Sequence, residues 1–341
     1  MRFILSNRQN DWIGVIKMSG FGNIGVYVGK IIQETNFIKR FHLYPVDREL
    51  LPAFTGGSHI ATFVKNGAEI IERNYSLVSH PTDRSQYAIA VRKDDHSRGG
   101  SVYWHNQVRV GDYVEISWPK NHFPLAFKAA KHHVFYAAGV GITPFITMME
   151  DLTAEGKSFE LHYAAKSKEE CAFYDILKAK YPGKCHFYFS RTENPARMKP
   201  DTMAEHRIGS HVYFCGPVSM VKEFREAAES YGYPSHSIHF ELFAANDESP
   251  KNPFVVTLAN SGKQVEVTEE ETLLDALLKA GVEAPYSCKV GGCGSCEVQL
   301  VDGQVDHRDH FYKEDERQTK KVILTCCSRA KKTEKELVLD L

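Results

Sequence analysis

The residues with the most specific chemistry are cysteines. Eight occur in 341 residues, and five of them, Cys288, Cys293, Cys296, Cys326 and Cys327, fall within the last 54. In "PYSCKVGGCGSCEVQL" the first three have C-x4-C-x2-C spacing, and "ILTCCSRA" brings Cys326 30 residues after Cys296. Thiolates at this spacing hold a plant-type [2Fe–2S] cluster. Gly291, Gly292, Gly294 and Ser295 let backbone wrap closely and aim amide N–H groups at sulfur, where larger side chains would intrude. Structural zinc is the alternative, but it prefers two C-x2-C knuckles or added histidines, and this segment has one such pair. Only one of the adjacent Cys326 and Cys327 can be a ligand. The pattern favours the first and leaves Cys327 as a packed or spare thiol. The sixteen histidines offer no metal-ligand pattern. "VDHRDHF", with His307, Arg308 and Asp309, reads as a surface turn.

Two glycine-bearing segments could hold phosphate. "AAGVGITPF" follows an apolar strand and leads into a helix, with Thr143 as expected N-cap and Pro144 in the first turn. Gly139 and Gly141 there let backbone approach a pyrophosphate, although a plain strand-to-helix turn would use the same residues. In "SRGGSVYWHNQV", Gly99 and Gly100 precede Ser101 at a predicted helix start, whose exposed N–H groups suit a phosphate. An acidic residue at the end of the second or third strand of the nucleotide region would favour the NADH ribose. The sequence has instead Lys166, Ser167, Ser190 and Arg191, which could accommodate a 2′-phosphate.

The elements that must position these residues fall into three regions. Short β-type runs separated by turns ("VYVGKIIQET", "SHIATFV", "YAIAVRK", "DYVEISWP") predict an antiparallel β-barrel or sandwich over residues 1–127. Strand-then-helix units from "HVFYAAG" to "SMVKEFREAAESYG" predict an α/β domain with a parallel sheet over 128–245. A polar, proline-bearing linker over 246–253 precedes an α+β, β-grasp domain over 254–341, which opens with a strand pair and one helix. Residues 1–17 read as neither helix nor strand, and as either an extension ahead of Met18 or no part of the native protein.

With these motifs in this order, the last 88 residues resemble plant-type ferredoxins, and the chain from about Val26 to Leu341 resembles the phthalate dioxygenase reductase family. The resemblance implies that "RNYSL" binds flavin, with Arg73 on its phosphate and Asn74, Tyr75 and Ser76 beside it, the last two at the isoalloxazine ring. It implies further flavin contacts from Ala90, Val91 and Arg92. It also implies that Cys215, Gly216 and Pro217 lie beside the nicotinamide, and that Glu241 and Phe243 close the flavin site. The domain order implies FMN rather than FAD. NADH is the expected donor, with NADPH open. Hydride would pass from NAD(P)H to flavin N5, and single electrons through the cluster to a Rieske-type oxygenase of an aromatic acid or quaternary amine. No catalytic acid or base is required.

The composition excludes other classes. With 42 Lys+Arg against 43 Asp+Glu and 43% hydrophobic residues, the chain is neither nucleic-acid-coating nor disordered. The longest uncharged stretch, Val134–Met149, is broken by Gly139, Gly141 and Pro144 and falls short of the roughly 20 apolar residues of a membrane span. The expectation is a cytoplasmic monomer with reduced thiols and no nucleic-acid or membrane partner. The competing readings are a stand-alone NAD(P)H oxidase or ferric reductase, and a non-enzymatic electron carrier or metal-binding protein.

Overall fold

The computed structural model describes residues 22–67, 69–95, 99–127, 129–244 and 250–341. Residues 1–17, residue 245 and residues 246–249 of the expected linker lie outside these. The chain divides into two compact units between Glu241 and Leu242.

In the first unit, strands β1 (Ile24–Thr35), β2 (Ile38–Pro45), β3 (His59–Asn66), β4 (Glu69–Ser76), β5 (Tyr87–Arg92) and β6 (Tyr113–Ile116) form a six-stranded sheet in the order β4-β3-β6-β1-β2-β5. Every pairing in it is antiparallel. Alternation drives the burial: Ile24, Val26 and Val28 of β1 point inward while their neighbours are half-buried. The two edges meet where Leu77 bridges Ile89 and the Val78 N–H donates to the Ala88 carbonyl at 2.8 Å, closing the barrel. Helix α1 (Gly100–Asn106) seals one end with Trp104, fully buried edge-on against Phe41.

A second sheet follows, built from β7 (His132–Ala138), β8 (Phe159–Ala165), β9 (Cys185–Phe189), β10 (Ser210–Cys215) and β11 (Ile238–Glu241). Its order is β11-β10-β7-β8-β9 and all its pairings are parallel. Helices α2 (Thr143–Ala154), α3 (Tyr174–Lys180) and α4 (Val218–Ser230) connect the strands. β10 is buried along its whole length, as a central parallel strand covered on both faces must be. One local expectation is corrected. Thr143 is not the N-cap of α2, because a 3-10 turn over Gly139–Ile142 runs straight into the helix, Ile142 takes the cap position and the Thr143 hydroxyl donates to the Val140 carbonyl. Helix α3 starts only at Tyr174, because Phe173 sits at φ 61° in the left-handed region.

The barrel and the parallel sheet share one hydrophobic core, with Val78, Ala88, Ala90 and Phe123 packed among Ala137, Ile142, Phe145, Met148 and Cys215. The Gly56–Gly57 loop fixes the join. The Gly56 N–H donates to Asp151 Oδ2 at 2.6 Å and the Gly57 N–H to Thr147 Oγ1 at 3.1 Å, both on α2. A Cβ on Gly56 would stand 2.6 Å from the Met148 Cα, so only glycine permits this approach.

The second unit holds β12 (Phe254–Leu258), β13 (Gln264–Val267), α5 (Leu273–Lys279), β14 (Glu297–Asp302), β15 (Val305–Asp306), α6 (Glu314–Thr319), β16 (Val322–Leu324), β17 (Arg329–Ala330) and β18 (Glu336–Leu339). Its mixed sheet, β13-β12-β18-β14-β16, has a parallel β12–β18 pair at its centre and wraps α5 in the β-grasp manner. Thr272 caps α5 by accepting from the Asp275 N–H at 3.0 Å, which turns Leu273, Leu274 and Leu277 into the core. Among the described residues no helix is long and apolar enough to cross a membrane.

Candidate functional site

In the second unit, the loop from α5 to β14 carries Cys288 and Cys293 half-buried and Cys296 buried, and Cys326 is buried just after β16. The thiols converge: Cys288 interacts with Cys293 and Cys326, and Cys296 with Cys326 and Cys293. Backbone N–H groups point at them, from Val290 (3.5 Å) and Gly292 to Cys288 and from Ser295 to Cys293. The neighbouring Cys288 thiol, then burial, push Cys293 well above the ordinary thiol range. Four crowded sulfurs with inward amides fit a cluster, whose irons would take the thiolates' charge. Cys327 adjoins the Cys326 thiol and makes other contacts besides. Its Sγ lies 3.8 Å from both the Leu324 carbonyl and the Ser328 hydroxyl and presses on Gly291, where an added Cβ would come within 2.8 Å of it. Gly291 and Gly294 take φ of 73° and 75°, conformations that other residues adopt only under strain.

The segment around Asp309 is a correction: it is not a surface turn. Asp309 is 1% exposed, and its Oδ2 accepts from the N–H groups of Phe311 (3.2 Å) and Tyr312 (2.8 Å). The Arg317 guanidinium stands 3.7 Å from the same oxygen, His307 Nδ1 lies 3.5 Å from Oδ1, and the His310 N–H donates to the Gly291 carbonyl. This carboxylate therefore braces the back of the cysteine loop. Asp309→Ala leaves two backbone amides unsatisfied and removes one partner of the half-buried Arg317 guanidinium, a loss of about 1–3 kcal/mol. The temperature at which visible cluster absorbance bleaches is expected to fall by several degrees, while the flavin unit's unfolding stays in place.

In the first unit, Arg73, Asn74, Tyr75 and Ser76 end β4 beside α1. The Arg73 side chain lies along Gly100, where a Cβ would stand 2.6 Å from its Cγ and 2.8 Å from its Nε. Gly99, at φ 82°, caps α1 with open space on its side-chain position. The Tyr75 ring meets Trp104 edge-on at 6.1 Å, and burial holds its phenol neutral by raising its pKa well above the usual value. Ala90 is buried in the shared core, Val91 accepts from His105 Nε2 through its carbonyl, and Arg92 is exposed. The Ser101 hydroxyl is engaged by the Asp94 backbone at 3.1 Å and 3.3 Å. A guanidinium, a glycine-only helix start and a buried tyrosine fit a phosphate-bearing flavin.

The strand order reverses between β7 and β10, so their carboxyl ends border the crevice where open parallel sheets bind ligands. Gly139 opens the turn after β7 at φ 56°, with nothing near its side-chain position and the Tyr163 hydroxyl on its carbonyl at 2.9 Å. Gly141 differs from the expectation. Its close approach is to the chain itself, because a Cβ there would overlap the Cys215 carbonyl and stand 2.8 Å from the Gly216 nitrogen. Pro144 occupies the first turn of α2, and Pro217 caps α4. Cys215 is fully buried, and burial, then Glu241 beside it, push its thiol well above the usual range, which keeps it neutral and non-nucleophilic. Glu241 pairs with Cys215 at the end of β11, whereas Phe243 lies beyond the division, in the second unit, 42% exposed.

Residues 256–331 match the 2Fe-2S iron-sulfur cluster binding domain, and residues 135–226 the oxidoreductase NAD-binding domain. A carnitine monooxygenase reductase subunit of Escherichia coli is 39% identical over 95% of this chain and 100% of its own length. The heme-dependent oxidative N-demethylase beta subunit of Ectopseudomonas mendocina is 41% identical over 87% of this chain and 93% of its own. A solved structure of phthalate dioxygenase reductase, described as modular for electron transfer from pyridine nucleotides to [2Fe–2S], superposes with a TM-score of 0.76 at 34% identity, covering 94% of this chain and 98% of that one. The chain belongs to the phthalate dioxygenase reductase family. It is thus an NAD(P)H-dependent oxidoreductase, an electron-transfer reductase of an oxygenase system, with a [2Fe–2S] domain at its C-terminal end.

Four features of the reductase had not been read from its sequence: Trp104 behind Tyr75, Tyr163 on the Gly139 carbonyl, the Asp309 brace and the Gly56–Gly57 contact with α2. Only the last left a local signal, a Gly-Gly pair between two strands.

Proposed function

We propose that this reductase passes electrons from NADH through FMN and its [2Fe–2S] cluster to a Rieske-type oxygenase of a quaternary amine or an aromatic acid. The carrying observation is the single core that joins strand β5 to the Gly139–Ile142 turn and the Cys215–Gly216 peptide. When bound, NADH supplies a hydride, FMN parts the electron pair and the cluster carries one electron at a time. The chain's own part is positioning. Arg73, with the amides of Gly99, Gly100 and Ser101, holds the flavin phosphate, Tyr75 and Ser76 hold its ring, and Asn74, Ala90, Val91 and Arg92 make further flavin contacts. Gly139, Thr143 and Pro144 shape the pyrophosphate turn, with Gly141 pressing it onto the Cys215–Gly216 peptide ahead of Pro217. Cys215 and Glu241 border the nicotinamide, and Cys288, Cys293, Cys296 and Cys326 ligate the irons. We read the barrel as 1–127, the nucleotide domain as 128–245, the linker as 246–253 and the ferredoxin domain as 254–341, in a cytoplasmic monomer.

NADH is favoured over NADPH because the polar groups beyond β8 already have acidic partners. The Ser167 hydroxyl donates to Glu169 Oε2 at 2.7 Å, and Lys166 Nζ lies 3.5 Å from Glu170 Oε2. Two carboxylates there repel a 2′-phosphate. Glu169→Gln with Glu170→Gln is expected to raise kcat/KM for NADPH about tenfold, the effect of roughly 1.4 kcal/mol of relieved repulsion, with NADH turnover little changed.

Arg73→Ala removes one charged hydrogen-bonding group, worth roughly 1.5–3 kcal/mol. FMN should bind about 10–100-fold more weakly, read as flavin released on dilution and gel filtration. Adding a Rieske oxygenase encoded beside the reductase should accelerate NADH oxidation and yield hydroxylated or demethylated product. NADH oxidation that only a haem oxygenase stimulates, or that no oxygenase stimulates, would overturn the assignment.

A further inference from the structure

Glu160 and His162 are alternate residues of β8, so their side chains leave the same face of the sheet. Leu161 and Tyr163 leave the other face, into the core shared with the barrel. On the Glu160 face, His206 follows the 3-10 turn Pro200–Glu205 and brings its Nδ1 to 3.3 Å from Glu160 Oε1. His162 Nε2 lies 3.1 Å from the same oxygen, and His132 Nε2 of β7 lies 3.5 Å from Oε2. The inward atoms of Glu160, His162 and His206 all fall within 4.8 Å of one another.

We propose that Glu160, His162 and His206 form a binding site for a divalent transition-metal ion of the zinc class, with His132 available as a fourth ligand. Bonds of about 2.0–2.1 Å from zinc to nitrogen or oxygen set tetrahedral ligand-to-ligand edges of about 3.3 Å. The gaps of 3.1 and 3.3 Å already match that edge. The outer nitrogens are also supported as in metal sites. His162 Nδ1 lies 2.8 Å from the Tyr188 hydroxyl, His206 Nε2 lies 2.9 Å from the Tyr136 hydroxyl and His132 Nδ1 lies 2.8 Å from Ser158 Oγ. An outer N–H donated to such an oxygen fixes the tautomer whose lone pair points inward. Stacking holds the His162 ring flat between Tyr136 (4.7 Å) and His186 (4.9 Å).

Nitrogen and oxygen donors without thiolate suit Zn2+, Ni2+ or Cu2+ rather than an iron–sulfur cluster. Glu160 is 25% exposed whereas the His162 and His206 side chains are 6% and 8% exposed, so the carboxylate marks the way in from solvent. Glu160 is the second residue of β8, at the opposite end of the strand from the nucleotide turns. An ion there would tie β7, β8 and the turn before β10 together without entering the electron path.

The test uses holoenzyme with its cluster loaded, incubated with Zn2+, passed through gel filtration and analysed by elemental mass spectrometry. The wild type should retain about one zinc per chain, and His162→Asn and His206→Asn should each weaken binding at least about tenfold, the usual cost of disturbing a metal site, while His80→Asn, at an exposed histidine beside Glu150, retains it. X-ray absorption at the zinc edge of the wild type, which needs no variant to fold, should show only nitrogen and oxygen neighbours at about 2.0 Å. No retained zinc, retention unchanged in both histidine variants, or sulfur in the zinc shell would each overturn the site.

Discussion

Cys296→Ser and Cys326→Ser should each leave a flavoprotein that still oxidises NADH with ferricyanide but has lost the visible signature of the cluster. Oxygenase-coupled turnover should fall by more than about 100-fold, beyond the 10–100-fold typical of second-shell changes at metal sites. Cys327→Ser should retain both cluster and turnover, because that thiol is held by the Leu324 carbonyl, Ser328 and Gly291. The contrast within one cysteine pair is the informative part. Both residues are equally cysteine in the sequence, and only their burial and contacts differ. Iron and flavin analysis of each variant beside its ferricyanide and oxygenase-coupled rates checks the prediction. A cluster kept in Cys326→Ser and lost in Cys327→Ser would reverse the ligand assignment.

Gly141→Ala should cost about 100-fold in kcat/KM for NADH, the order of loss expected when reacting groups are displaced by about 1 Å. The added methyl would overlap the Cys215 carbonyl, and neither partner there is a side chain that could rotate away. The turn after β7 and the Cys215–Gly216 peptide must therefore separate. Overpacking of this kind also destabilises by about 1–3 kcal/mol, so the thermal midpoint of the first unit should drop. Gly139→Ala is the matched control. Nothing lies near its side-chain position, and its φ of 56° costs about 1–2 kcal/mol without moving Cys215. Steady-state kinetics with ferricyanide as acceptor separates the two variants, and equal losses in both would mean that backbone strain, not the contact with Cys215, governs the site.

Chemistry carried by local spacing was the most legible. The C-x4-C-x2-C loop, the strand-and-helix alternation and the glycine turn each lie within a short window, where 2.0 and 3.6 residue periods and turn residues can be counted. Cys327, Gly141 and Asp309 could not be placed that way, because each is defined by what lies opposite it in space. Gly141 faces a peptide 74 residues on, and Asp309 is buried by Arg317 and by the loop it supports. The histidines show the same limit from the other side. Glu160 and His162 are near neighbours, but their third partner, His206, is 46 residues from Glu160, and a spacing search finds no pattern there. Thr143 misled for a different reason: a residue type that favours N-caps was carried inside the helix by the 3-10 turn before it.

The central claim is that electrons from a pyridine nucleotide reach the iron–sulfur cluster of the same chain through its flavin. Anaerobic stopped-flow mixing of holoenzyme with NADH, followed by freeze-quench electron paramagnetic resonance, tests it most directly. Loss of flavin absorbance should precede the signal of a reduced [2Fe–2S] cluster, which should approach about one spin per chain, since the cluster accepts a single electron. Protein stripped of flavin should show no such signal until FMN is restored. A cluster that stays oxidised with flavin bound and NADH in excess, or one that NADH reduces equally well without flavin, would contradict the account.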